Sequence, residues 1–149
     1  YKPFTGSNKH RTSSMINLAL IGIGKWGQNY TKTVADIPNC QIKYTRTRNY
    51  QDLLTKDDLD GVIIATPGST HFEIASQFLK RSFNLIIEKP LTTNLEEANL
   101  LLKLMQEKKP KVLVGFTYLY HAKLLCIFPQ HVSVFLHQLA LKDRSALQN

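Results

Sequence analysis

Cysteine is scarce in this sequence, and long apolar runs are absent. The 149 residues include two cysteines, Cys40 and Cys126, which form neither a disulfide framework nor a metal-binding spacing. The most apolar stretches, residues 62–65 and 85–87, are far shorter than the roughly 18 apolar residues of a membrane-spanning helix. Residues 1–14 lack the apolar core of a signal peptide. The sequence therefore predicts a soluble, cytoplasmic protein with no membrane partner.

Acidic residues are also few, and the resulting positive charge is unevenly spread. Lys and Arg number 19 against 11 Asp and Glu, so the formal net charge is +8. More than half of the excess lies in residues 1–14 and 121–149. No basic patch is interleaved with aromatic residues as in nucleic-acid-binding segments, so we expect no nucleic-acid partner. Metal-ligand spacing with acids or cysteines is absent at His10, His121, His131 and His137, which predicts no metal site.

Short β-rich runs alternate with helical patterns through the centre of the chain. This alternation is typical of a parallel sheet with helices on both faces. Helical spacing of apolar residues is broken by Pro38 and by Lys108-Lys109-Pro110. The predicted strands lie at 16–21, 41–45, 61–66, 85–87 and 112–116. The fold class is therefore α/β, a doubly wound, Rossmann-like parallel sheet of about five strands.

The helices carry start signals and an inward face that can be read from the sequence. Thr70 and Glu73 have capping-box spacing, and the helix after them would bury Ile74, Ala75, Phe78 and Leu79. Thr93 and Asn94 are alternative N-caps of the next helix, whose predicted inward face consists of Ala98, Leu101, Leu102 and Met105. Beyond residue 121, helical and strand patterns overlap at residues 132–139, and we favour a helix there.

These patterns divide the chain into three parts. Residues 1–14 form a predicted disordered basic leader. Residues 15–120 form one predicted domain, which contains the alternating strands and helices. Residues 121–149 form a tail of uncertain structure.

A glycine-rich motif lies between the first strand and the first helix. Residues 22–27 read Gly-Ile-Gly-Lys-Trp-Gly, the G-x-G-x-x-G pattern, which chance would produce about 0.015 times in a chain of this glycine content. In this position Gly22 would make a tight turn, Gly24 would admit a pyrophosphate and Gly27 would let the helix pack closely. The motif predicts dinucleotide binding at the helix N-terminus.

The second strand ends without the acidic residue that usually binds the adenosine ribose. Its end reads Tyr-Thr-Arg-Thr-Arg over residues 44–48. Arg46 can pair with a ribose 2′-phosphate, which favours NADP over NAD as the cofactor. The alternative is that Arg46 and Arg48 are solvated loop charges.

Two further residues lie near the carboxyl ends of predicted strands, where open α/β sheets bind ligands. Lys89 could orient the nicotinamide or donate to a substrate oxygen, although its position alone favours a surface lysine paired with Glu88. His71 could face the same crevice, although spacing alone favours an exposed histidine at a helix start.

Together, these motifs resemble the N-terminal domain of the Gfo/Idh/MocA oxidoreductase family. The resemblance rests on residues 22–27, on Ala-Thr-Pro at 65–67 with His71, and on Glu-Lys-Pro-Leu at 88–91, and it covers residues 15–120. It implies an enzyme that uses NAD or NADP to oxidise or reduce a hydroxyl-bearing carbon of a sugar, inositol or related polyol. It also implies that Lys89 is the active-site lysine. The predicted cofactor-binding set is Gly22, Ile23, Gly24, Lys25, Trp26, Gly27, Arg46, Thr66, Pro67, His71, Glu88 and Lys89.

The sequence departs from the family pattern in three places that bear on function. Only residues 47–60 separate the second and third predicted strands, so one helix-strand unit is expected to be missing. Gly68 stands where the family commonly has Asn. Residues 121–149 do not resemble the family's substrate domain, which carries the general base.

We therefore expect the cofactor-binding part of an NAD(P)-dependent oxidoreductase. A sugar or polyol substrate would bind only if a second domain is present, and the isolated chain should have no turnover. The alternative is a non-catalytic nucleotide-binding module, or an inactive truncated or frameshifted fragment of such an enzyme.

Overall fold

The computed structural model describes residues 15–116 and shows alternating strands and helices. The predicted leader and tail, and the helix favoured at residues 132–139, lie outside these residues. The strands are β1 (Ile16–Ile21), β2 (Cys40–Arg46), β3 (Gly61–Ile64), β4 (Asn84–Ile87) and β5 (Val112–Val114). The helices are α1 (Lys25–Ala35), α2 (His71–Lys80) and α3 (Leu95–Lys108), with short 3-10 helices at Gln51–Thr55 and Gly68–Thr70.

All five strands are parallel and form one sheet in the order β2-β1-β3-β4-β5. The chain builds outward from β1 to β2, then returns to the other side of β1 and continues through β3, β4 and β5. The strand order therefore reverses beside β1, which is the topological switch point of an open α/β sheet. The predicted doubly wound fold is confirmed.

Successive side chains along each strand point to opposite faces of the sheet, and each face has its own hydrophobic core. On one face, Ile21, Ile64 and Ile87 pack against α2 and α3 around Phe78 and Leu101, all of which are completely buried. On the other face, Leu20 and Ile63 pack against Val34 of α1. Strands buried on both faces read as continuous apolar runs, which explains why β3 has the sequence Gly-Val-Ile-Ile.

The link from β2 to β3 contains no helix-strand unit of the usual length. Instead, the 3-10 helix Gln51–Thr55 crosses the face that carries α2, and β2 remains at the sheet edge. Tyr50 is 7% exposed and Leu53 is fully buried. The Tyr50 ring lies 5.9 Å from that of Phe78. These two anchors fix a segment that would otherwise be an exposed loop.

Two details of the helices differ from the sequence predictions. The Thr70 side chain does not cap α2, because its hydroxyl instead donates to the Pro67 carbonyl oxygen at 2.7 Å, so the predicted capping box is wrong. Leu102 is 46% exposed, since α3 turns Leu101, Leu104 and Met105 toward the core. At the start of α3 the choice of cap is resolved, as the Asn94 side chain accepts from the Glu97 amide at 2.9 Å.

Replacing Asn94 tests this cap. Asn94→Ala leaves the Glu97 amide without its side-chain acceptor, so the free energy of unfolding should fall by about 1 kcal/mol in urea denaturation. Asn99→Ala is the matched control, because Asn99 is exposed within the same helix and alanine is the better helix former there. Equal destabilisation by both substitutions would contradict the capping role of Asn94.

Candidate functional site

The carboxyl ends of the strands lie in one row, and this alignment gathers the predicted site residues. Ile21 is paired with Arg46 on β2 and with Ile64 on β3, and Ile64 with Ile87 on β4. The ladder continues one residue further, because the Gly22 amide donates to the Arg46 carbonyl at 2.8 Å and the Glu88 amide to the Ile64 carbonyl at 2.9 Å. The glycine motif and the Glu-Lys-Pro turn therefore leave the sheet at the same edge.

Close backbone packing explains two of the three glycines in the motif. Gly22 has φ +97°, and a Cβ there would lie 2.5 Å from the Ala65 carbonyl oxygen. A Cβ on Gly27 would overlap the Gly22 carbonyl oxygen. Gly22 thus joins the ends of β1 and β3, and Gly27 lets α1 start directly against this turn.

Gly24 differs, because the space around it is open. A Cβ built on Gly24 has no heavy atom within 4 Å. Gly24 is the N-cap of α1, and the first turn of this helix contains no acidic residue. Within residues 15–116, no side chain accepts a hydrogen bond from this turn. Free amides and the helix dipole at this end favour an anion. The residues present therefore fit a pyrophosphate, and its binding here stays a prediction.

His71 joins the loops that follow β3 and β4. Its ring is fully buried, with Nδ1 2.7 Å from the Pro90 carbonyl oxygen and Nε2 2.9 Å from the Thr66 carbonyl oxygen. The expectation of an exposed histidine is therefore wrong: the chain after Pro67 turns the imidazole inward. A Cβ on Gly68 would lie 3.0 Å from Pro90 Cδ, so the two loops also pack closely there.

The Glu88 carboxylate is buried and is held by α1. Glu88 is 6% exposed, and its Oε1 accepts from the Tyr30 hydroxyl at 2.6 Å. Oε2 accepts from the Lys89 amide at 3.2 Å. Burial and then the hydrogen bond to Glu88 raise the pKa of Tyr30. A Cβ on Gly115 would lie 2.9 Å from Glu88 Oε1, which explains why β5 is followed by glycine.

Lys89 extends over the glycine motif. Its Nζ lies 5.9 Å from the centre of the Trp26 ring, and both side chains are exposed. Within residues 15–116, Glu88 forms no ion pair with Lys89. Lys89 is therefore a surface lysine, as one alternative held, but its predicted pairing with Glu88 is wrong. The structure brings the ammonium group of the Glu-Lys-Pro turn to the start of α1.

Arg46 lies beside the glycine turn, and its guanidinium group is hydrogen-bonded to a carboxylate. Nε and Nη2 donate to Asp52 at 3.2 and 2.5 Å. This hydrogen bonding lowers the pKa of Asp52 and raises that of Arg46. Asp52 belongs to the 3-10 helix that replaces the longer link. It lies only six residues after Arg46, and this closeness in sequence is the one feature that could have suggested the pair. The sequence analysis missed both Asp52 and Tyr30.

A cavity of about 350 Å³ opens at this edge of the sheet, between the loop after β2 and the start of α2. It is lined by Ile21, Thr47, Arg48, Asn49, Tyr50, Thr66, Pro67, Thr70, Glu73 and Ile74. A larger cavity, about 410 Å³, lies around residues near the amino ends of the strands, including Ile16, Asp60, Asn84 and Lys111. Ligands of open α/β sheets bind at the carboxyl ends, so we place the candidate site at the smaller cavity and the adjoining glycine motif.

Residues 39–116 match a family model described as an oxidoreductase family with an NAD-binding Rossmann fold. The chain belongs to the Gfo/Idh/MocA oxidoreductase family. Inositol 2-dehydrogenase of Rhizobium meliloti (strain 1021) is 29% identical over 118 residues, which cover 68% of this chain and 36% of the relative. The chain thus spans about a third of the length of that enzyme.

Solved structures of related proteins share the fold. A protein of Magnetospirillum magnetotacticum MS-1, provisionally described as an oxidoreductase, superposes with a TM-score of 0.67 at 29% identity, over 72% of this chain and 40% of the other. A mutant of KijD10, a 3-ketoreductase from Actinomadura kijaniata in complex with TDP-benzene and NADP, gives a TM-score of 0.68 at 20% identity, over 83% and 44% of the two chains.

Across the described part of the chain, no helix is long and apolar enough to cross a membrane. Residues 15–116 also contain no group of three or more His, Cys, Asp or Glu side chains that could hold a metal ion.

The different surroundings of the motif glycines lead to a stability prediction. Gly27→Ala should lower the free energy of unfolding by about 1–3 kcal/mol, because its Cβ overlaps backbone that cannot rotate away. Gly24→Ala is the control, and it should change stability by less than about 1 kcal/mol because the space is open. Urea unfolding of both variants tests this, and a larger loss for Gly24→Ala would contradict the geometry.

The partly buried Tyr30–Glu88 contact predicts a pH dependence. A raised pKa means that folded Tyr30 keeps its proton when unfolded Tyr30 loses it, so this contribution is complete below pH 10 and declines above it. The stability advantage of the wild type over Tyr30→Phe should therefore shrink between pH 10 and 11.5, measured by urea unfolding. Parallel curves for the two proteins across this range would contradict the prediction.

Proposed function

We propose that this chain is the cofactor-binding part of an NAD(P)-dependent oxidoreductase. In the full protein, the substrate would be a hydroxyl or carbonyl compound of the sugar, inositol or related polyol class. The structure describes residues 15–116 of the predicted domain, whose bounds of 15–120 stay a prediction. The observation that carries the proposal is the open space at Gly24, which lies next to the free amides in the first turn of α1. Lys89 lies near the same turn, because its Nζ approaches the Trp26 ring.

In this proposal the glycine motif binds the pyrophosphate through the start of α1. Lys25 adds a positive charge at that point, and Thr66 and Pro67 line the adjacent cavity. A bound nicotinamide dinucleotide would supply the hydride acceptor or donor. Trp26 and Lys89 then border the edge at which a substrate oxygen would be oriented, with the lysine ammonium as hydrogen-bond donor.

His71 and Glu88 have positioning roles in this mechanism. Both side chains are buried, and their polar atoms are hydrogen-bonded to other residues of the protein. His71 holds the loop of Thr66 against the turn of Pro90, and Glu88 holds the amide of Lys89. Direct contact of either residue with the cofactor stays a prediction.

The substrate class is supported by the family and by the name of a relative, inositol 2-dehydrogenase. The Glu88 carboxylate is buried and accepts from the Tyr30 hydroxyl, so it is not placed as a free general base. The base for a substrate hydroxyl would come from another part of the full protein. We therefore expect the described residues to bind cofactor and to give no turnover by themselves.

Cofactor titration tests the proposal. NADPH fluorescence should change saturably with added chain, with a dissociation constant in the micromolar to millimolar range. Gly24→Val should abolish the change, because its side chain fills the space required by the pyrophosphate. Asn99→Ala, on the exposed face of α3, is the control and should bind like the wild type. Absence of saturable binding up to millimolar cofactor, or unchanged binding in a folded Gly24→Val variant, would overturn the proposed function.

A further inference from the structure

The end of β2 carries a paired charge where a dinucleotide fold places its ribose-binding residue. Arg46 lies directly beside the glycine turn, because its carbonyl oxygen accepts from the Gly22 amide at 2.8 Å. Three of its nitrogens already have acceptors. Nε and Nη2 bind the two oxygens of Asp52, and Nη1 donates to the Thr45 carbonyl at 2.8 Å. A 2′-phosphate would therefore approach a guanidinium group that is already hydrogen-bonded to Asp52 and to the Thr45 carbonyl oxygen.

Asp52 is held in place by its neighbours in the chain. It lies within the 3-10 helix Gln51–Thr55, between the buried side chains of Tyr50 and Leu53. Its backbone carbonyl accepts from the Thr55 hydroxyl at 3.1 Å. The packing of this segment thus holds the Asp52 carboxylate beside Arg46. The segment is part of the short link between β2 and β3.

We propose that Asp52 sets the preference between NAD and NADP by competing with the 2′-phosphate for the Arg46 guanidinium. This inference rests on the proposed function. NADP binding requires Arg46 to exchange one anionic partner for another. NAD requires no exchange, and a carboxylate at this point is the group that accepts hydrogen bonds from ribose hydroxyls in dinucleotide folds. Asp52 would thereby supply from the following segment the acid that the end of β2 lacks.

The charges around the pair favour such an exchange. Lys56 also attracts Asp52, and its Nζ lies 5.4 Å from the centre of the Tyr44 ring, which Arg46 approaches to 5.9 Å. A carboxylate released from Arg46 therefore keeps a cation nearby. The pair is also partly exposed, with 32% of the Arg46 side chain and 45% of the Asp52 side chain accessible, so solvent screens it and a phosphate can reach it.

The test compares Asp52→Asn with a matched substitution, Asp58→Asn. Asp58 belongs to the neighbouring exposed ion pair, 2.6 Å from Lys43 Nζ, so both variants remove one negative charge near β2. Only Asp52→Asn removes the charged, two-oxygen partner of Arg46. Dissociation constants for NADPH and NADH are measured with wild type and both variants. Asp52→Asn should shift the NADPH-to-NADH affinity ratio about three- to fivefold toward NADPH. Asp58→Asn should shift it less than twofold.

A second variant links the effect to Arg46. The shift caused by Asp52→Asn should be smaller in an Arg46→Ala background than in the wild type, because the competition for the guanidinium group is gone. An unchanged ratio in Asp52→Asn, or an equal shift in Asp58→Asn, would overturn this inference while leaving the proposed function intact. Failure of the wild type to bind either dinucleotide would overturn the proposed function and the inference with it.

Discussion

The close contact between the Gly22 turn and the backbone after β3 is the constraint on which the rest of the site depends. A positive φ at Gly22 and the absence of a side chain there let β1 end against Ala65 and Thr66. Gly27 then places α1 against the same turn. The end of β1, the start of α1 and the end of β3 meet here without intervening side chains, so free amides face outward beside the reversal in strand order. The proposed anion binding at this point rests on geometry and helix dipole rather than on any single charged residue.

Buried polar contacts hold the remaining parts of this edge. Tyr30 reaches from α1 to Glu88, and His71 reaches from the start of α2 to the carbonyl oxygen of Pro90. A buried carboxylate or imidazole is costly unless it is hydrogen-bonded, and in residues 15–116 every buried side-chain nitrogen or oxygen has a partner. These contacts leave Lys89 exposed beside Trp26 on a turn whose backbone is fixed, which is the arrangement that orientation of a reacting group requires.

The overall charge of +8 has less bearing on function than its local arrangement. Near β2, cations and carboxylates alternate in two exposed ion pairs, Lys43 with Asp58 and Arg46 with Asp52. Charged side chains on an edge strand also discourage pairing with other chains. The local field at the proposed ribose position is therefore set by a balanced pair, and a small change in that pair is expected to alter which dinucleotide binds best.

The sequence by itself determined the fold class, the glycine turn and most helix and strand positions, because apolar periodicity and backbone requirements at glycine are local properties. It did not determine the cap of α2 or the exposure of Leu102 and His71, since these depend on how each helix is rotated against the sheet. Nor could it show that Glu88 binds Tyr30, that Lys89 approaches Trp26, or that Asp52 occupies Arg46. These contacts join residues 6 to 63 positions apart, and only the parallel register and the short link after β2 bring them together.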